Sequence, residues 1–170
     1  YSEINELKKA EKCLLYSLKL NLKTGDQRQI GSSYNDLAEL YTHLENDNLA
    51  YLYASKALPF IKRSQSKSKL AHSYITFAKY FLNQKNYIKT KSYLDSAKLV
   101  TAANNLQSKK RLLEAEAKFY AATNQKENEI KTLKTLFLVK DTLFNTTNSE
   151  QINTLKTKYE TEKKEEQIKD

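Results

Sequence analysis

The amino-acid sequence predicts an all-α fold of stacked antiparallel helix pairs, and three observations carry that expectation. Residues that punctuate sheets and tight turns are scarce, with only two Gly and one Pro in 170 residues. Hydrophobic residues make up 39% and charged residues 29%, which is lean for one thick core and suits a thin, elongated stack. The chain also resembles itself at an offset of 40 residues, the signature of a repeat architecture.

The offset generates four frames. Tyr1, Tyr41, Phe81 and Ala121 fall in register, as do Ala10, Ala50, Thr90 and Ile130. Cys13, Tyr53, Tyr93 and Leu133 form a third column, and Ser17, Ala57, Ala97 and Phe137 a fourth. Each column keeps its size class through three frames and loosens in the last, as the ends of a repeat array do. The first frame carries only a second helix around Ala10, Cys13 and Ser17, with Cys13 read as a small helix-core residue. Tyr1 matches the late aromatic of a first helix, so the chain is expected to begin inside a repeat, with more repeats upstream.

In the second frame, Tyr34, Leu37, Ala38 and Tyr41 lie on a first helix and Ala50, Ala54 and Ala57 on a second. The third frame repeats the pattern with Tyr74, Phe77, Ala78 and Phe81, then Tyr87, Thr90, Leu94 and Ala97. Small residues let two helices approach while aromatics fill the gaps beside them. The fourth frame fits with a one-residue slip through Leu113, Ala117 and Tyr120, and Ile130, Leu133, Leu136 and Phe137 carry its second helix. Polar stretches at Lys62 to Lys69 and Asn104 to Lys110 read as connectors.

This spacing resembles the tetratricopeptide repeat (TPR) family over residues 1–144. The resemblance implies a right-handed superhelix whose first helices line a concave groove. Two features depart from the family: the repeat is 40 residues long rather than about 34, and Glu45 and Lys85 stand where a turn Gly is usual. Carried over by register, the groove positions are Asn35, Glu39 and His43, then His72, Lys79 and Asn83, then Arg111 and Lys118. Amide and cationic groups at this spacing suit a peptide backbone or carboxylate, so the expected partner is a protein or peptide, with acidic groups favoured. The same residues also make an ordinary solvated surface.

Residues 145–170 form a second unit. A polar hinge at Asn145 to Ser149 is followed by a charged helix with Ile152, Leu155 and Tyr159 on one face. Alternating charges from Lys156 to Glu166 suit pairing one turn apart and a coiled-coil start, which would join two copies of the chain. Asp141, Leu143 and Phe144, followed by the run Leu155 to Lys164, resemble the end of repeat sensor regions in Bacteroidota signalling proteins. That resemblance implies the periplasmic input domain of an inner-membrane two-component histidine kinase, with a membrane helix and an output module downstream. A cytoplasmic repeat region of a transcriptional regulator and a free-standing scaffold are the alternatives.

Chemistry has little to build on. The histidines are His43 and His72, the single cysteine is Cys13, and no glycine-rich phosphate loop accompanies them, so neither catalysis, a cofactor nor a metal centre is expected. No run reaches the roughly 18 apolar residues that span a bilayer, so membrane contact is expected only through flanking segments. Charge is uneven: between Asp47 and Asp95 there are nine Lys or Arg and no acid. Such a field attracts anionic partners, nucleic acid among them, but the aromatics sit at core positions and few remain to stack on bases.

Overall fold

The computed structural model describes the backbone of residues 2–102 and 105–169 and the side chains of residues 6–102 and 105–161. Seven helices follow one another without a strand among the described residues: α1 (Ser2–Thr24), α2 (Gln27–His43), α3 (Asp47–Ser64), α4 (Lys67–Asn83), α5 (Tyr87–Val100), α6 (Leu106–Ala122) and α7 (Lys126–Lys169). The all-α helix-pair array is therefore present. α2 packs on α3, α4 on α5 and α6 on α7 as antiparallel pairs, and consecutive pairs stack through α1/α2, α3/α4 and α5/α6. In addition α4 packs directly on α6, with no comparable packing of α3 on α5 or α5 on α7. α2 has no such packing on α4 either, so among the first helices of the described pairs α4 and α6 lie directly against each other, while a side-chain link ties α2 to α6; the side where the polar residues of the three meet is the inner face.

The 40-residue repeat is visible in side-chain geometry. Tyr34 meets Tyr53 with ring centroids 6.3 Å apart at 34°, and Tyr74 meets Tyr93 at the same distance and angle. Tyr41 stacks on Tyr53 at 5.4 Å, and Phe81 stacks on Tyr93 at 5.6 Å. Each tyrosine of the second helix fills the gap between two aromatics of the first. Beside them Ala50, Ala57 and Ala97 are fully buried, where any larger residue would hold the helices apart.

The turns show why the frames keep their length. Asn46 donates its N–H to the Tyr41 carbonyl at 2.9 Å, Asn86 to Phe81 at 2.9 Å and Gln125 to Tyr120 at 2.9 Å, closing the same helix-ending loop three times. Asn46 and Asn86 then cap the next helix, their side chains accepting from the N–H of Leu49 and Lys89 at 3.1 Å. This loop needs one residue with positive φ, and Glu45 (54°), Lys85 (56°) and Asn124 (57°) supply it in place of glycine. Replacing Lys85 by Gly is expected to stabilise the chain by about 0.5–1 kcal/mol, read as a higher melting temperature by calorimetry. A fall would show that the Lys85 side chain matters more than its backbone.

Four expectations need correction. Cys13 and Ser17 are exposed, because the inward face of α1 runs through Leu14, Leu18 and Asn21. The reading of Tyr1 is not among these, because that residue lies outside the described residues. The connectors are shorter than their polarity suggested. Lys62, Arg63 and Ser64 complete the last turn of α3, where cations complement the helix dipole, and Asn105 caps an α6 that already contains Lys109 and Lys110.

In the fourth frame the inward residues of α7 are Thr132, Leu136 and Val139, while Ile130, Leu133 and Phe137 are exposed. Leu94, one repeat earlier, is buried against Leu112 and Phe119 of α6; no described helix follows α7 to cover the corresponding face.

No hinge interrupts residues 145–149. α7 runs on as one helix, with its short polar side chains turned back along it: Thr146 donates to the Thr142 carbonyl at 2.8 Å, Ser149 to the Asn145 carbonyl at 2.9 Å, and the Asn145 amide to the Asp141 carboxylate at 3.3 Å. Its first part rests on the array through Leu136, Val139 and Leu143 against Leu106 and Leu113. From Ser149 to Thr161 every residue is exposed.

Candidate functional site: the inner face of α2, α4 and α6

Three first helices converge on the inner face, and their polar residues meet there. Arg111 on α6 donates from Nη2 to Glu39 Oε1 on α2 at 2.6 Å, closing a link between residues 72 apart in sequence. Both side chains keep about a third of their surface exposed, at 35% and 38%. Burial pushes the Glu39 carboxyl up, but the Arg111 hydrogen bond and charge, with His72 and His43 nearby, outweigh it and hold the group ionised below its ordinary range.

His72 on α4 lies within this charged cluster. It is 8% exposed, and burial followed by the positive charge of Arg111 brings its pKa down to about 4, against a smaller upward pull from Glu39. Among the described residues its Nε2 has no hydrogen-bond partner, and neither has Thr76 Oγ1 one turn further along the same helix. Lys79, the next residue on this face, is half-buried; burial and the charge of Lys118 depress its pKa, while Asp47 and Glu114 act in the opposite sense. Glu114 also pairs with Lys140 of α7 at 3.2 Å. The face therefore mixes both signs of charge across three helices: Glu39, Arg111, Lys79, Glu114 and Lys118.

Of the eight positions carried over by register, Glu39, His72, Lys79, Arg111 and Lys118 are brought together. His43 is exposed near Glu39 and His72 and acts on both through its charge. Asn35 is only 6% exposed, so it packs within the array instead of facing a ligand. Asn83 sits at the far end of α4, where its amide donates to the Asp47 carboxylate and helps line a shallow pocket beside the turn at Glu45. Sequence reasoning missed Glu114 and Thr76. Both lie at helical spacing from positions it did choose, Arg111 and Lys79, which was the available signal.

The buried neutral imidazole has a pH consequence. His72 ionises near 6.5 when unfolded and near 4 when folded, so the unfolded chain binds the extra proton between those values. Its contribution is complete above about pH 6.5 and is lost as pH falls toward about 4, a loss of up to about 3 kcal/mol. Thermal melts from pH 7 to pH 4 are expected to show this slope, and a His72→Gln chain to lack most of it. An unchanged slope in the variant would assign the acid sensitivity elsewhere.

Among the described residues no group of three or more His, Cys, Asp or Glu is placed to hold a metal ion. No described helix is long and apolar enough to cross a membrane.

Comparison with known proteins bears on the fold. No protein-family model matches the chain, and the search of curated proteins gave no match. Among solved structures it is similar to BtubC (BKLC) from P. vanneervenii, with a TM-score of 0.64 at 13% sequence identity. The similarity covers 84% of this chain and 60% of BtubC, so this chain spans less than two thirds of that protein's length. At this identity the likeness concerns the arrangement of helices.

Proposed function

We propose that the chain is a non-catalytic binding domain of tetratricopeptide type, whose inner face takes a protein or peptide with acidic groups. The observation that carries this reading is the Glu39–Arg111 link with Lys79 and Lys118 beside it. Arg111 is already engaged by a carboxylate belonging to the chain itself, and Lys79 is a partly desolvated ammonium whose pKa is depressed by burial and by the charge of Lys118. An incoming carboxylate would take the place of Glu39 on Arg111 and relieve the repulsion between the two lysines. Specificity would come from neighbouring side chains of the partner and from the pattern of acids Glu39 and Glu114, which repel a misplaced anion.

Within a whole protein, this domain is proposed to be the sensory input of a two-component histidine kinase, periplasmic and attached to the inner membrane through flanking segments. α7 supports the signalling part of the proposal. It is 44 residues long, roughly 66 Å, and every residue from Ser149 to Thr161 is exposed. Phe144, Ile152, Leu155 and Tyr159 are 64–67% exposed on it. That exposed apolar stripe has no cover among the described residues, so a second copy of the chain is the partner proposed for it.

Transmission would require two arrangements of the array that bind the ligand with different affinity. Reading the gene on both sides of the segment tests the assignment. A membrane helix followed by a kinase module supports it, whereas a reading frame with neither membrane segment nor output domain contradicts it. Sedimentation of the segment tests the pairing: a dimer that an Ile152→Lys, Leu155→Lys double substitution converts to monomer is expected, and a wild-type monomer at high concentration would remove it.

A further inference from the structure

Away from the inner face, a cavity of about 740 Å³ opens where the start of α2, the end of α3 and the start of α4 meet. Its floor is apolar, formed by Phe60 and Ile61 of α3 beneath Gly31 of α2. A side chain at Gly31 would place its Cβ 2.3 Å from the Phe60 Cβ, so the missing side chain is what lets α2 lie on Phe60 and form this floor. Around the rim stand three cations, each from a different helix: Arg28, Arg63 and Lys69. Among the described residues none of the three is engaged in an ion pair. The sequence offers them no acid from residue 48 to residue 94, and Asp26, the nearest acid before α2, already accepts from the N–H groups of Arg28 and Gln29.

Hydroxyls complete the rim. Ser32 and Ser66 face the cavity, and Ser66, which precedes α4, makes no cap hydrogen bond with its side chain. Ser64 donates its own proton to the Ile61 carbonyl at 3.0 Å and retains only acceptor capacity. The cavity thus combines three positive charges approaching from three helices, two hydroxyls available to donate, and an apolar base.

We infer that this cavity is a second ligand site, separate from the inner face, for a phosphate monoester carrying a small aromatic or aliphatic group. Three cations from three helices lining one cavity can serve the three free oxygens of a phosphate dianion, one more than a carboxylate offers. The volume falls within the usual range for small-molecule sites, roughly 300–1,000 Å³, and exceeds what the phosphate fills, leaving the Phe60 floor for the ester group. The site also gives the basic run of the sequence a destination, since Arg63 and Lys69 both belong to it. It does not rest on the peptide-binding reading, and either can hold without the other.

The test is an amide nuclear magnetic resonance titration of the isotope-labelled chain with phenyl phosphate, and separately with inorganic phosphate and benzoate, at one ionic strength. Phenyl phosphate is expected to give saturable shifts confined to residues 27–32 and 60–69, with weaker binding by each of the other two probes. A chain with Arg63→Gln and Lys69→Gln is expected to bind phenyl phosphate at least about 10-fold more weakly, while Lys134→Gln, an exposed cation of α7 that belongs to neither site, leaves binding unchanged. Arg63 is exposed and Lys69 partly so, and an unchanged helical circular dichroism spectrum shows that the variant is folded. Shifts spread evenly over the lysines, equal affinity for inorganic phosphate or benzoate, or a double variant that binds like the parent would each overturn the inference.

Discussion

Replacing Phe77 by Ala is expected to destabilise the chain by about 3–5 kcal/mol and to lower its melting temperature by roughly 10 °C. Phe77 is 3% exposed and stands where two repeats join. Its ring meets Tyr51 of α3 at 5.2 Å and Tyr93 of α5 at 5.2 Å, both edge-on, and it packs with Ala38 and Ala54 of the preceding repeat. Truncation leaves a cavity bounded by rigid rings that cannot collapse into it, which places the cost toward the upper end of such substitutions. Because stability in a stacked array is shared between neighbours only, the same change is also expected to broaden the transition as α1–α3 and α5–α7 lose coupling. Calorimetry checks both effects. A loss below about 1 kcal/mol would mean that the repeats are not joined through this ring.

The second large effect concerns binding, and its strength lies in opposite signs. Removing the guanidinium with Arg111→Gln is expected to weaken an acidic peptide on the inner face by about 10- to 100-fold, the range of a central charged anchor. Removing the competing carboxylate with Glu39→Gln is expected to tighten the same peptide, by up to about 10-fold, because Arg111 is then free to meet it. If the pair were merely a strut between α2 and α6, both substitutions would loosen the inner face and weaken binding alike. Calorimetric titration of the two chains with one acidic peptide separates the cases.

Much of the fold was legible because its packing is local and periodic. The Tyr34, Leu37, Ala38 and Tyr41 spacing recurs at Tyr74, Phe77, Ala78 and Phe81, and the structure repeats the ring geometry between Tyr34 and Tyr53 at Tyr74 and Tyr93. The turn residues Glu45 and Lys85, noted for standing where glycine is usual, do adopt positive φ. The fourth frame was less legible. Its turn at Asn124 comes 39 residues after Lys85 rather than 40, and Phe137, aligned with the buried Ala97, is 70% exposed. A face with no described helix over it is free of the size constraint that writes the repeat into the other frames.

The site was legible in part. Helical spacing placed Glu39, His72, Lys79, Arg111 and Lys118 on first helices, but spacing says nothing of depth, so Asn35 and His72 read as surface groups and are buried. Nor could it pair Glu39 with Arg111, since that contact spans two repeats and depends on the curvature of the whole array. The cavity at Phe60 was hidden for a related reason. Its lining comes from the ends of three helices, where no single period brings Arg28, Arg63 and Lys69 into view together.

An acidic peptide is proposed to bind the inner face of α2, α4 and α6. The most direct test of this is to titrate the labelled chain with a mixture of short Asp- and Glu-rich peptides of otherwise random sequence, and to map the amide shifts. Saturable shifts centred on Glu39, His72, Lys79, Arg111 and Lys118 are expected, and a charge-swapped Arg111→Glu chain is expected to lose them. Shifts that stay away from those helices, or that persist in the swapped chain, would contradict it.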